Sequence, residues 1–148
     1  MREILFRGKT KNGEWKYGDL IIEHYGNTPY IHWFEYSSLA IDMQEKVIPE
    51  TVGQFTGLTD KNGKKIFEGD IVQNGENEEC YWHFRKGVVK FGEGTFDSGI
   101  YRYTGFYFEE SDGTIDHNTL YKVEDVWYQV KVIGNVFDNP ELLEKENV

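Results

Sequence analysis

The sequence predicts a mainly β protein, and three observations predict it. Glycine is frequent (16) and proline rare (3). Apolar residues come in short runs, and turn dipeptides separate the runs. Asn12-Gly13, Asn62-Gly63 and Asp112-Gly113 are the sharpest turn signals, because both central residues of the tightest hairpin turns need positive φ. Gly26-Asn27, Asn74-Gly75 and Ser98-Gly99 add weaker ones.

The expected strands follow in order. Residues 3–6 lead into the Asn12-Gly13 turn, and residues 15–23 and 30–35 come next. Residues 65–67 and 70–73 flank Gly69. Residues 87–91 place Val88 and Lys90 on one face and Val89 and Phe91 on the other, the period of a half-buried strand. Residues 100–103, 106–109, 120–123 and 129–137 complete the series. One short C-terminal helix is expected over residues 139–145, where Asn139 precedes Pro140 and Glu141. That is the order of a capping residue, a proline at the first helical position and an acid near the positive end. Residues 37–46 read equally as helix or loop, and residues 40–53 as a join between two parts.

Composition narrows the class. Hydrophobic residues make up 39% and charged ones 28%, values that argue against a membrane-spanning and a disordered chain. The 4 Trp, 10 Tyr and 10 Phe supply large buried area to a small core. Net charge is −10. Residues 109–148 hold ten acids against three bases, a net of −7. The whole-chain field repels nucleic acid and attracts basic surfaces. Cys80 is the single cysteine, so no intramolecular disulfide can form. The first residues show neither a signal-peptide pattern nor a membrane helix. Together these features predict a cytoplasmic protein.

An internal repeat is visible. Lys11-Asn12-Gly13-Glu14-Trp15-Lys16-Tyr17-Gly18-Asp19-Leu20-Ile21 resembles Lys61-Asn62-Gly63-Lys64-Lys65-Ile66-Phe67-Glu68-Gly69-Asp70-Ile71-Val72. Upstream, Phe6-Arg7-Gly8 parallels Phe55-Thr56-Gly57. Two small β modules would follow from a duplication. Asp19 and Asp70 are expected to serve structure, since a short carboxylate readily accepts from a nearby backbone N–H.

No catalytic, cofactor or metal site assembles from the sequence. His24, His32, His83 and His117 stand in unrelated contexts. Cys80 and His83 offer two zinc ligands where a structural site needs four. Residues 108–119 fail as a calcium loop, with Phe108 and Thr119 at the two ends where acids are required. The enzyme candidates are His83 with Glu79 and Asp70, and His117 with Asp116. Nucleic-acid contact has one set of candidates: Arg7, Lys9, Lys11 and Lys16 around the first turn, and Lys61, Lys64 and Lys65 around the second. Solvated turn lysines account for the same residues.

One stretch is specific enough to name a family. Ile48-Pro49-Glu50-Thr51-Val52-Gly53-Gln54-Phe55-Thr56-Gly57-Leu58-Thr59-Asp60-Lys61-Asn62-Gly63 and its continuation Lys64-Lys65-Ile66-Phe67-Glu68-Gly69-Asp70-Ile71-Val72 resemble the signature of the YopX-like proteins of bacteriophages and prophages. Phe6-Arg7-Gly8-Lys9 with Gly13-Glu14-Trp15-Lys16-Tyr17-Gly18, and Ile133-Gly134-Asn135-Val136-Phe137-Asp138-Asn139-Pro140-Glu141-Leu142-Leu143, resemble the two ends of that family. The resemblance implies a small SH3-like β-barrel over residues 51–148, beside a smaller β module over residues 1–50. It also implies a phage or prophage gene expressed in a bacterial cytoplasm, and it brings no catalytic residues. The resulting expectation is a non-catalytic module that binds an unknown host or phage protein through aromatic and acidic surfaces, without cofactors. A nucleic-acid-contacting protein or an acidic DNA mimic is the alternative. Barrel edges can pair across chains, so a homo-oligomer is also expected as an option.

Overall fold

The computed structural model describes residues 1–74, 85–96, 101–111, 115–116, 122–123, 126–127 and 130–144. Cys80, Glu79, His83, His117 and the Asp112-Gly113, Asn74-Gly75 and Ser98-Gly99 signals lie wholly or partly outside them. Among the described residues thirteen strands are present: β1 (Phe6–Lys9), β2 (Trp15–Glu23), β3 (Thr28–Tyr36), β4 (Ala40–Lys46), β5 (Gly53–Thr59), β6 (Lys65–Phe67), β7 (Asp70–Asn74), β8 (Arg85–Phe96), β9 (Tyr101–Glu110), β10 (Ile115–Asp116), β11 (Lys122–Val123), β12 (Val126–Trp127) and β13 (Val130–Asn135). The protein is therefore mainly β. Helical structure among the described residues is limited to two 3-10 turns, Pro49–Thr51 and Pro140–Leu143.

The chain divides into two compact units, Met1–Phe55 and Thr56–Val148, with the boundary inside β5. In the first unit the strand order is β5-β1-β2-β3-β4, all antiparallel. Its buried apolar residues are Ile31, Val47 and Phe55. Packing against Val47 is tight: a Cβ on Gly8 would lie 2.6 Å from a Val47 methyl. In the second unit a five-stranded sheet runs β10-β9-β8-β7-β13, again antiparallel. Ile66, Val72, Val89, Phe108, Val130 and Val132 form its core, with Leu58 and Phe106 packed against them.

The two copies of the repeat fold into the same turn. Thr10 N–H donates to Glu14 O and Gly13 N–H to Thr10 O, at 2.9 and 3.0 Å. Asp60 N–H donates to Lys64 O and Gly63 N–H to Asp60 O, at 2.8 and 3.0 Å. Gly13 and Gly63 take φ of 85° and 81°, a conformation that costs a residue with a Cβ about 1 kcal/mol or more. The first residue of each turn uses its side chain alike: Thr10 Oγ1 accepts from Glu14 N–H at 3.2 Å, and Asp60 Oδ1 from Lys64 N–H at 2.9 Å. Asp60 goes further. Oδ1 also accepts from Asn62 N–H at 2.8 Å, and Oδ2 from Val132 N–H at 3.0 Å.

Several expectations are corrected. The sheets are open among the described residues and close into no barrel. The C-terminal helix is a four-residue 3-10 turn, because Asn139 does not cap it. Asn139 Oδ1 accepts instead from Asn135 N–H at 3.3 Å, and Asn135 Oδ1 accepts from Phe137 and Asp138 N–H at 3.0 and 2.9 Å. The capping chemistry closes the preceding turn. Residues 40–46 are strand β4, and residues 53–59, unassigned from sequence, are β5. The runs 100–103 and 106–109 are one strand, β9.

Two outcomes follow for the second unit. Asp60→Ala leaves three backbone donors without an acceptor and should cost about 3 kcal/mol, against about 1 kcal/mol for Thr10→Ala, where one donor is orphaned; urea unfolding of each variant measures both. Glu68 is half-buried, and burial raises its carboxyl pKa. The folded state then holds the proton more tightly than the unfolded chain, so ionisation opposes folding above the folded pKa and has no effect below the unfolded one. Glu68→Gln should therefore raise the urea midpoint at about pH 7, and the gain should vanish near pH ~3.5.

Candidate functional site

Strands alternate their side chains between two faces, and in the first unit the two faces of β2–β4 differ. On one, Pro29 and Ile31 are buried and Trp33 and Met43 stand opposite each other. On the other, β3 presents Tyr30, His32, Phe34 and Tyr36 in succession. Register puts Ile21 beside Tyr30, Asp19 beside His32 and Asp42 beside Phe34. This face leaves water increasingly uncovered toward the β3–β4 turn: Phe34 is 49% and Tyr36 82% exposed. The rings touch in sequence. His32 meets Phe34 edge-on at 5.0 Å between centroids, and Phe34 meets Tyr36 at 6.2 Å.

Two carboxylates bracket the histidine. Nδ1 of His32 lies 3.4 Å from Asp19 Oδ2, and Nε2 contacts Asp42 Oδ1. Carboxylates only accept, so both contacts are hydrogen bonds together when the imidazolium donates from both nitrogens. The trio ties β2, β3 and β4 across one face. Close strand approach helps to place it, since a Cβ on Gly18 would sit 1.9 Å from the His32 carbonyl oxygen. Both aspartates keep most of their surface in water, with side chains 75% and 72% exposed.

The seven bases considered for nucleic acid are divided between the two units. Arg7 is buried, with its guanidinium 4.8 Å from the Trp15 ring centroid, and Lys9 lies 6.0 Å from the same ring. Lys16 pairs with Glu14 at 3.1 Å and Glu45 at 3.5 Å, over the Trp33 ring. Its hydrogen bond to Glu14 is the largest cause raising its pKa. Lys11, Lys61 and Lys64 are exposed at turns and Lys65 is exposed at the start of β6, Lys11 in the first unit and the others in the second. Of the enzyme candidates, Asp70 is buried and accepts from Phe67 N–H at 2.8 Å, a structural role. Its counterpart in the repeat, Asp19, is the residue that reaches His32.

A groove of ≈ 390 Å³ lies between residues 10–12 and 45–49. It sets no nucleophile beside a base, and the Thr10 oxygen is already an acceptor for Glu14 N–H. Among the described residues no group of three His, Cys, Asp or Glu side chains is placed to hold a metal ion. Nor is any helix there long and apolar enough to cross a membrane. The β3 stripe is not among the sites expected from the sequence, although Tyr30, His32 and Phe34 fall on alternate positions of the expected strand 30–35 and Tyr36 follows directly after it. What the sequence does not carry is the register that brings Asp19 and Asp42 to the same histidine.

Comparison with known proteins agrees with the all-β plan. No curated protein matches the chain. A solved structure, protein EF1440 from Enterococcus faecalis, is similar with a TM-score of 0.56 at 24% identity, covering 97% of this chain and 100% of that one. At that identity the likeness bears on fold alone. The family described as YopX protein matches residues 5–144, nearly the whole length, and the chain belongs to that family.

Proposed function

We propose that this protein is a non-catalytic protein-binding module of a phage or prophage, acting in the cytoplasm of the host bacterium through the outer face of β2–β4. The observation that carries the reading is the exposed stripe of Phe34 and Tyr36 beside Asp19 and Asp42. Aromatic rings left in water gain most when a partner covers them, and they dominate the energetics of protein interfaces. The acids select the partner. Arginine or lysine side chains can stack on the rings and pair with the carboxylates, so a basic protein surface with apolar residues suits the face.

Nucleic acid is disfavoured at this face, because surfaces that stack bases pair their rings with cations to hold phosphate, and these rings stand beside carboxylates. The DNA-mimic reading needs carboxylates spaced like phosphates, whereas Asp19 and Asp42 converge on one histidine.

Wild-type protein bearing an affinity tag should retain a stoichiometric protein partner from host lysate after nuclease treatment. The Phe34→Ala/Tyr36→Ala variant, with an unchanged melting curve, should lose at least about tenfold of that capture, the scale of a truncated interface anchor. Capture that is unaffected by the variant, or that disappears with nuclease, rejects the reading.

A further inference from the structure

We infer that the open edge of β4 is a strand-addition site for an extended cationic segment of a partner protein. The inference rests on the binding-module reading and names what the face takes. β4 ends the sheet, and among the described residues no strand pairs with its outer edge. Its register with β3 runs unbroken from Tyr36↔Ala40 to Tyr30↔Lys46, so no bulge turns the edge away. Its seven residues, Ala-Ile-Asp-Met-Gln-Glu-Lys, contain no proline; of its three charges, Glu45 and Lys46 stand together at one end and Asp42 alone lies within the strand. Natural edge strands are usually blunted by such devices. An unblunted edge about 20 Å long offers a row of backbone donors and acceptors to an incoming strand.

The side chains of β4 specify that strand. On the aromatic face the newcomer would lie beside Asp42 and Gln44, with Phe34 one strand further in. Asp42 contacts His32 through Oδ1 and is still 72% exposed, open to a cation. On the opposite face the newcomer would lie beside Ile41, 48% exposed, and Met43, with Glu45, paired with Lys16, at the far end. Alternation then favours a basic residue beside Asp42 and apolar residues on the face of Ile41 and Met43. A second copy of this chain fits worse. It carries a net charge of −10 and would bring its own Asp42 and Glu45 to the same edge, where like charges oppose association.

The test uses the full chain and a nine-residue peptide of alternating Arg and Val, followed by calorimetry and by backbone hydrogen exchange. Two control peptides are a copy N-methylated at alternate residues, which cannot donate along one edge, and an alternating Glu and Val sequence. Strand addition predicts that the Arg/Val peptide slows exchange of β4 amides, and that N-methylation, the Glu/Val replacement and Asp42→Asn each weaken binding at least tenfold. Equal binding of the N-methylated peptide, absence of binding, or a free protein that is already a dimer with β4 protected would each overturn the assignment. If Phe34→Ala/Tyr36→Ala loses its lysate partner while the peptide slows no β4 amide, the face stands and the edge falls. The reverse pattern sinks the face and keeps the edge.

Discussion

One buried carboxylate holds the second unit in register. Asp60 is 2% exposed and accepts from Asn62, Lys64 and Val132. Two of these bonds are local and shape a tight turn. The third reaches across 72 positions to β13, and Lys61 N–H donates to Val130 O at 3.1 Å beside it. Turn and strand are thereby fixed together. The apolar residues of β13, Val130 and Val132, then fall on the same core as Ile66 and Val89. A charge this deeply buried is tolerable because backbone donors replace the water it gave up.

In the first unit the equivalent residue is Thr10, which makes the local bond without the distant one. Here the long-range anchoring passes through the segment after β4. Ile48 N–H donates to Lys9 O at 2.8 Å, Lys9 N–H to Thr51 Oγ1 at 2.9 Å, and Val47 N–H to Pro29 O at 3.1 Å. All three bonds gather at one end of the β3–β4 pair, where Pro29, Ile31 and Val47 are buried. The other end, toward Tyr36 and Ala40, has no such attachment among the described residues and keeps its aromatic side chains in water. The exposed aromatic face is thus a product of where the clamp sits, at one end of two long strands.

What could be read from the sequence is the part that local chemistry dictates. Asn12-Gly13 and Asn62-Gly63 do mark turns, but only the glycine of each pair takes positive φ, so the turns are wider than the two-residue hairpins in which both central residues do. Strands with alternating or aromatic runs, such as 15–23 and 65–67, stand where expected. Errors arose where a local signal served a different partner. Asn139 has the chemistry of a helix cap and spends it on Asn135. The segment 40–46 mixes polar and apolar residues without a clear period, and becomes a strand because β3 offers it an edge. Arg7 reads as a solvent-facing base and is instead buried against Trp15. Gly-Asp occurs in both halves of the repeat, yet Asp70 is buried against a backbone donor while Asp19 faces His32 from the surface. Such divergence depends on which strand lies alongside, and no single segment records that.

The long reach of Asp60 also sets an order of events during synthesis. The first unit is contiguous in residues 1–55, so the strands that pair within it are all present once those residues have left the ribosome. The second has its turn acceptor at residue 60 and the matching donor at residue 132. At bacterial translation speeds the intervening chain takes several seconds to appear. Throughout that interval the Asp60 carboxylate lacks one of its three donors, and Ile66 and Val72 wait for the valines of β13. The nascent second unit therefore spends seconds as exposed, strand-forming chain, the period in which chaperone capture competes most strongly with aggregation.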